Sequence, residues 1–222
     1  MKFMLFVLPT VPATLEERER LRPIGRNNDR YQMMLDELRR LAVFADDAGF
    51  DVMSTTEHHF HSEGYECSVA PLMLYTDLAA RTKRIRFSPL GLVLPSWDPI
   101  RCAEELAVLD HLTKGRIYAG FARGYQDRWV NVLGQQYHVT GAPMDGSSID
   151  NHNRRVYEET LKVIKKAWTE DTMGTTTRCP IRIAKASRRS GTAARAILAP
   201  YRSCFQSTLT SREPAVTRQP RG

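Results

Sequence analysis

Residues 54–66 read STTEHHFHSEGYE, with three histidines and three glutamates in thirteen positions, directly after the apolar run Phe50-Asp51-Val52-Met53. A neutral imidazole both donates and accepts hydrogen bonds near pH 7, so a histidine here suits proton handling as an acid, a base or a hydrogen-bond donor. His58 and His59 are adjacent, and adjacent side chains at a strand end point to opposite faces, which disfavours joint ligation of one metal. His59 and His61 have the i, i+2 spacing that permits it, with Glu57 or Glu63 as further ligands. The third option is a hydrogen-bonded structural histidine. Residue types alone leave the three open.

A second candidate is Arg123-Gly124, which ends the run Ile117-Tyr118-Ala119-Gly120-Phe121-Ala122. A guanidinium beside a glycine at a strand end suits an anionic ligand such as phosphate. The alternative is an ion pair to a nearby loop carboxylate such as Asp127. Gly91, within PLGLVLP, is the kind of strand glycine that marks close approach by a ligand or another backbone. Trp97, Trp129 and Trp168 read as packing residues.

Alternating strands and helices position these residues. The first strand is Lys2–Pro9, followed by a polar loop with Pro12, Pro23 and Gly25. A helix from about Asn28 carries Tyr31, Met34, Leu35, Leu38, Leu41, Ala42 and Ala45 at helical spacing and stops at Gly49. The second strand is about Phe50–Thr56, and Pro71 opens a helix to about Lys83. The third strand, Ile85–Leu94, is interrupted by Pro89 and Gly91. The next helix is framed by Asp98 as N-cap, Pro99 at the first helical position and Gly115 as stop. The fourth strand is Arg116–Ala122, and a long connection leads to a last helix at about Asp150–Trp168.

Such alternation predicts an α/β fold with a parallel sheet, either an open doubly wound sheet or a (β/α)₈ barrel of the TIM type. No GxGxxG follows the first strand, which weighs against a dinucleotide-binding sheet. Both architectures bind ligands at the C-terminal strand ends, where Glu57-His58-His59 and Arg123-Gly124 fall. The two groups are therefore expected on one rim, above neighbouring parallel strands.

Composition bounds the rest. No apolar stretch approaches the roughly 18 residues of a membrane span, and MKFMLFVLP lacks the cleavage site of a signal peptide. Four cysteines without CxxC spacing fit a reducing, cytoplasmic setting. The chain has a formal net charge of +7, but residues 174–222 hold nine Arg, one Lys and one acid, while residues 1–173 carry a net charge of −2. The expected organisation is a folded body over 1–173 and a basic, low-order tail over 174–222, too poor in apolar periodicity to fold alone. Arginines without interleaved aromatics favour nonspecific phosphate contact, so specific nucleic-acid recognition is not expected.

Several segments together resemble the bacterial luciferase-like flavin-dependent monooxygenases: MKFMLFVLP, AGFDVMSTTEHHF, IRFSPLGLVLPSWDPIRCAEELAVLDHLTKGR and IYAGFARGY. The resemblance covers about 1–173. It implies a (β/α)₈ barrel of which the first four βα units are present. It also implies reduced FMN, or in some branches F420, at the C-terminal mouth, and O₂-dependent oxidation of a small organic substrate. A flavin reductase would supply the reduced FMN, and first-half helices would pair two copies. His58 corresponds to the family's active-site histidine, which assists the peroxyflavin step, and Glu57 stands beside it at the cofactor. Gly91-Leu92 corresponds to the segment against the isoalloxazine ring, where some members carry a non-proline cis peptide. Arg123, with Gly124, corresponds to an arginine near the flavin phosphate. Ala122 replaces the reactive cysteine of the light-emitting subunit, so luminescence is not expected on that account. The later barrel units have no counterpart in 174–222, whose composition suggests a truncated or frameshifted end. The resulting expectation is impaired activity, with a noncatalytic partner subunit or inactive fragment as the alternative.

Overall fold

The computed structural model describes residues 1–170; the basic segment 174–222 lies outside the described residues. Strands β1 (Met4–Phe6), β2 (Val52–Thr55) and β3 (Arg86–Pro89) form a parallel sheet in that order. Its register is Met4↔Val52 and Met53↔Phe87. Two further short strands, β4 (Leu92–Val93) and β5 (Phe121–Ala122), pair in parallel with each other. A bridge between Phe87 and Ile117 continues the pairing beside β3.

The helices are α1 (Leu15–Arg20), α2 (Asn28–Asp47), α3 (Pro71–Arg81), α4 (Pro99–Thr113), α5 (Asp127–Leu133) and α6 (Ser148–Thr169). The core lies between the sheet and α2, α3, α4 and α6. Met53, Phe87 and Leu92 from the strands meet Leu38, Tyr75, Leu106 and Ile164 from those helices. Each such side chain contributes about 1.5–3 kcal/mol by leaving water. The Trp168 indole donates to the Ala103 carbonyl at 3.0 Å, fastening α6 to α4. Asp46, at the end of α2, accepts the N–H groups of Lys83, Arg84 and Ile85 at 2.7, 2.9 and 2.6 Å, which sets where β3 begins.

Three sequence expectations need correction. The fourth strand does not run from Arg116 to Ala122: only Phe121–Ala122 pairs as a strand, with the isolated bridge at Ile117. Opposite the gap stands Pro89, which has no N–H to give. There a Cβ on Gly120 would lie 2.1 Å from the Pro89 oxygen, so the backbones touch without a ladder. Second, the strands ending below His58 and Arg123 are not neighbours, because β3 and β4 lie between β2 and β5. Third, the polar loop after β1 contains α1, started by a capping box in which Thr14 and Glu17 each bond the other's backbone N–H.

β1 is an edge strand among the described residues. Its alternate residues Met4 and Phe6, and Leu8 beyond them, are 47%, 50% and 40% exposed, while Leu5 and Val7 pack on the core. Among the described residues no helix is long and apolar enough to cross a membrane.

Candidate functional site

A cavity of about 250 Å³ opens at the C-terminal strand ends. Its polar wall holds Thr56, Glu57, His58, Glu66 and Gln126. Leu90, Gly91, Val93, Ala122, Gly124 and Trp129 form the apolar wall, and Phe6, Leu8 and Tyr125 border it. The structure therefore brings His58, Glu57, Gly91, Ala122 and Gly124 to one hollow. Leu92 and Arg123 are not part of its lining. Leu92 is fully buried in the core.

The histidine segment is held from several sides. His58 donates its backbone N–H to the Ser68 carbonyl at 3.3 Å, and the loop between them turns through left-handed Phe60 and Glu66, at φ 62° and 50°. The His58 side chain is 8% exposed; its Nδ1 lies 3.1 Å from Thr56 Oγ1 and 3.2 Å from Glu66 Oε2. The His61 ring stacks on it at 5.4 Å, and the Trp129 indole meets it edge-on. Burial lowers the imidazole's pKa below its ordinary 6.5, the Glu66 carboxylate pulls the other way, and His61 adds to the lowering. His58 is thus mainly neutral at pH 7.

Glu57 is buried and occupied. It accepts the Val93 N–H at 2.8 Å and the Trp97 indole N–H at 2.9 Å, and stands 3.0 Å from His59 Nε2. That carboxylate ties the end of β2 to the β4 segment and so fixes the cavity floor. His59 faces Glu57 and the Trp129 ring, while His61 Nε2 faces Gln126 Oε1 at 3.0 Å. Among the described residues no group of three or more His, Cys, Asp or Glu is placed to hold a metal ion.

Arg123 Nη1 donates to Asp150 Oδ1 at 2.6 Å, not to Asp127. Gly124, at φ 78°, has the conformation that glycine tolerates, and a Cβ there would lie 2.5 Å from Val93 Cγ1. The Leu90-Gly91 peptide between β3 and β4 is cis.

Sequence reasoning passed over Glu66, Gln126 and Trp129. Glu66 was within the histidine-rich segment, but its approach to His58 depends on the turn at 60–66. Gln126 and Trp129 come from the start of α5, in a stretch read as a plain connection. Trp129 is 1% exposed and packs with Val93, Val130 and Tyr137, as read, yet it also forms cavity wall. Gln126 bridges the walls: its Nε2 lies 3.4 Å from Glu66 Oε2, and the neighbouring Arg128 pairs with Glu63.

The model of the luciferase-like monooxygenase family matches residues 1–194. The alkanal monooxygenase alpha chain of Photobacterium leiognathi is 36% identical over 104 residues, 47% of this chain and 29% of the relative. The oxygenase component of the flavin-dependent trigonelline monooxygenase of Acinetobacter baylyi is 30% identical over 63% of this chain and 35% of its own length. Among solved structures, the monooxygenase RslO1 of Streptomyces bottropensis superposes with a TM-score of 0.59 at 26% identity, covering 78% of this chain and 44% of that one. The chain spans less than half the length of these relatives. The parallel strands, the histidine at their C-terminal rim and the match over residues 1–194 together place this chain in the luciferase-like monooxygenase family.

Proposed function

We propose that the described residues of this chain correspond to the first four βα units of a luciferase-like barrel and that the chain takes part in oxidation of a small organic substrate by O₂ with reduced FMN. The observation that carries the reading is His58, a buried imidazole in the wall of an apolar hollow at the strand ends. The flavin supplies the oxygen chemistry when bound; His58 exchanges a proton at the ligand, and Trp129, Leu90 and Val93 exclude water.

The hollow suits the edge of a flat ring system against Gly91, Ala122 and Gly124, with Leu92 behind them. At about 250 Å³ it is smaller than the roughly 300–1,000 Å³ of a typical ligand pocket. Among the described residues no lysine or arginine lines it, so the residues fit the ring better than the phosphate. Arg123 is the cation proposed for the phosphate, because Asp150 takes one of its five N–H donors. A separate reductase as the source of reduced FMN is proposed from the likeness to an oxygenase component.

The test is binding and turnover. Reduced FMN is titrated anaerobically into the full chain, with F420 in parallel, and oxygen uptake is then followed with a flavin reductase present. Saturable binding of FMN that His58→Ala leaves intact, with oxygen chemistry that it lowers, supports the reading. Absence of binding to either cofactor overturns it.

A second reading, a barrel half that works only with a partner chain, is favoured by the exposed Met4, Phe6 and Leu8 on an edge that is unpaired among the described residues. Oxygen uptake by the chain alone separates the two.

A further inference from the structure

His58 Nδ1 has two oxygen neighbours, Thr56 Oγ1 at 3.1 Å and Glu66 Oε2 at 3.2 Å. No hydrogen-bond partner of Nε2 occurs among the described residues. The hydroxyl of Thr56 also lies 3.2 Å from Ser68 Oγ, and it can either donate or accept. A carboxylate oxygen at this position accepts rather than donates, so Glu66 favours the form of the ring that carries hydrogen on Nδ1. The same Oε2 lies 3.6 Å from His61 Nδ1 and 3.4 Å from Gln126 Nε2, while His61 Nε2 faces Gln126 Oε1. Glu66 is therefore held from the α5 side as well as from its own loop.

We propose that Glu66 is a positioning residue for His58: it holds the ring in the Nδ1–H form and leaves Nε2 as the lone pair that takes a proton from a bound ligand. The balance is simple. Nε2 accepts one proton, the ring becomes cationic, and the Nδ1–H bond to the carboxylate becomes charge-assisted. Return of that proton to the ligand restores the neutral ring, and the hydrogen on Nδ1 stays in place throughout. The ionisable groups facing His58 are Glu57, His59, His61 and Glu66, all from the 57–68 segment. Thr56 and Ser68 contribute only hydroxyls, and Trp129 and Gln126 face it from α5 without charge. Glu57 is engaged by Val93 and Trp97, which leaves Glu66 as the carboxylate in direct contact with the His58 ring.

The role rests on the proposed oxidation chemistry, but its test needs no flavin. Imidazole ¹⁵N–¹H correlation spectra of the full chain report the tautomer and titration of His58, assigned with His58→Gln. The expected wild-type spectrum has a pyrrole-type Nδ1 and a pyridine-type Nε2. In Glu66→Gln the His58 pKa falls by about one unit, as loss of a contacting carboxylate requires. A wild-type ring protonated at Nε2 overturns the proposal. So does a folded Glu66→Gln protein whose His58 titrates within about 0.3 unit of wild type, well short of the shift a contacting charge produces. Should that variant fail to fold, the wild-type tautomer decides alone. Failure of reduced FMN to bind the same sample overturns the functional reading without touching the tautomer result.

Discussion

Arg123 and Asp150 form an ion pair at 2.6 Å that joins the end of β5 to the first turn of α6. Asp150 is 2% exposed and also accepts the Gly146 N–H at 3.0 Å. The Gly146 bond leads in holding its carboxyl below the usual range, and burial works against it. The pair is part of the scaffold, and it also fixes where the proposed phosphate cation stands.

The two roles separate by substitution. Arg123→Ala is expected to weaken FMN binding by about tenfold or more, the effect of one lost charge-assisted hydrogen bond. Asp150→Ala is expected to lower the midpoint of urea unfolding more than Arg123→Lys does. Fluorescence titration and urea melts read the two effects. Unchanged FMN affinity in Arg123→Ala removes that residue from the cofactor site.

His58 gives the fold a pH signature. Its folded pKa lies below the ordinary 6.5, so the unfolded chain binds more protons between the two values. The associated stability is fully present above about pH 6.5 and is lost as pH falls through 6.5 toward the folded value. His58→Gln is expected to flatten this part of the stability curve, measured by urea unfolding between pH 7.5 and 5, a range bracketing the ordinary histidine value of roughly 6.5.

The buried Asp46 should be among the costliest polar positions to change. Burial alone would raise its carboxyl, yet the backbone N–H groups of Lys83, Ile85 and Arg84 hold it below the ordinary 3.8. Asp46→Ala leaves three backbone donors without their acceptor and is expected to cost about 3 kcal/mol. Chemical denaturation at pH 7 measures it, and the difference from wild type should shrink as acid protonates Asp46.

Gly120→Ala is expected to disturb the cavity from behind. The new methyl would meet the Pro89 carbonyl, and only backbone movement relieves the contact. A loss of about 1–3 kcal/mol follows from overpacking of this kind. Near-ultraviolet circular dichroism and thermal melts should show it.

Phe44, Met73 and Leu112 are 64%, 75% and 59% exposed on α2, α3 and α4. We propose that these exposed side chains of α2, α3 and α4 take part in pairing two copies. Light scattering should then report a dimer at micromolar concentration, and Met73→Glu with Leu112→Glu should return the monomer. A monomeric wild-type chain at that concentration contradicts the pairing.

The parts of this fold that were legible in the sequence are those fixed by neighbours along the chain. Asp98 caps α4 through the N–H groups of Ile100 and Arg101, and the helix ends at left-handed Lys114 and Gly115, as that frame required. The placement of the histidine segment at a strand end followed from its apolar predecessor. What escaped were relationships between distant residues. Arg123 finds Asp150 twenty-seven positions on, where spacing offered Asp127 as the nearer partner. Gln126 reaches Glu66 across sixty positions. The Gln126–Glu66 contact depends on turn geometry at Phe60 and Glu66, where the residue type did not announce a positive φ. The missed α1 is different: its Thr14…Glu17 signature was present and local.

The links of Glu63 to Arg128, and of His61 and Glu66 to Gln126, make one jaw of two chain segments. Neither can swing away from the hollow without dragging the other. Among the described residues the open side is the β1 flank, where Phe6 and Leu8 stand about half in water. A molecule entering over that flank would meet those two side chains before it meets the imidazole.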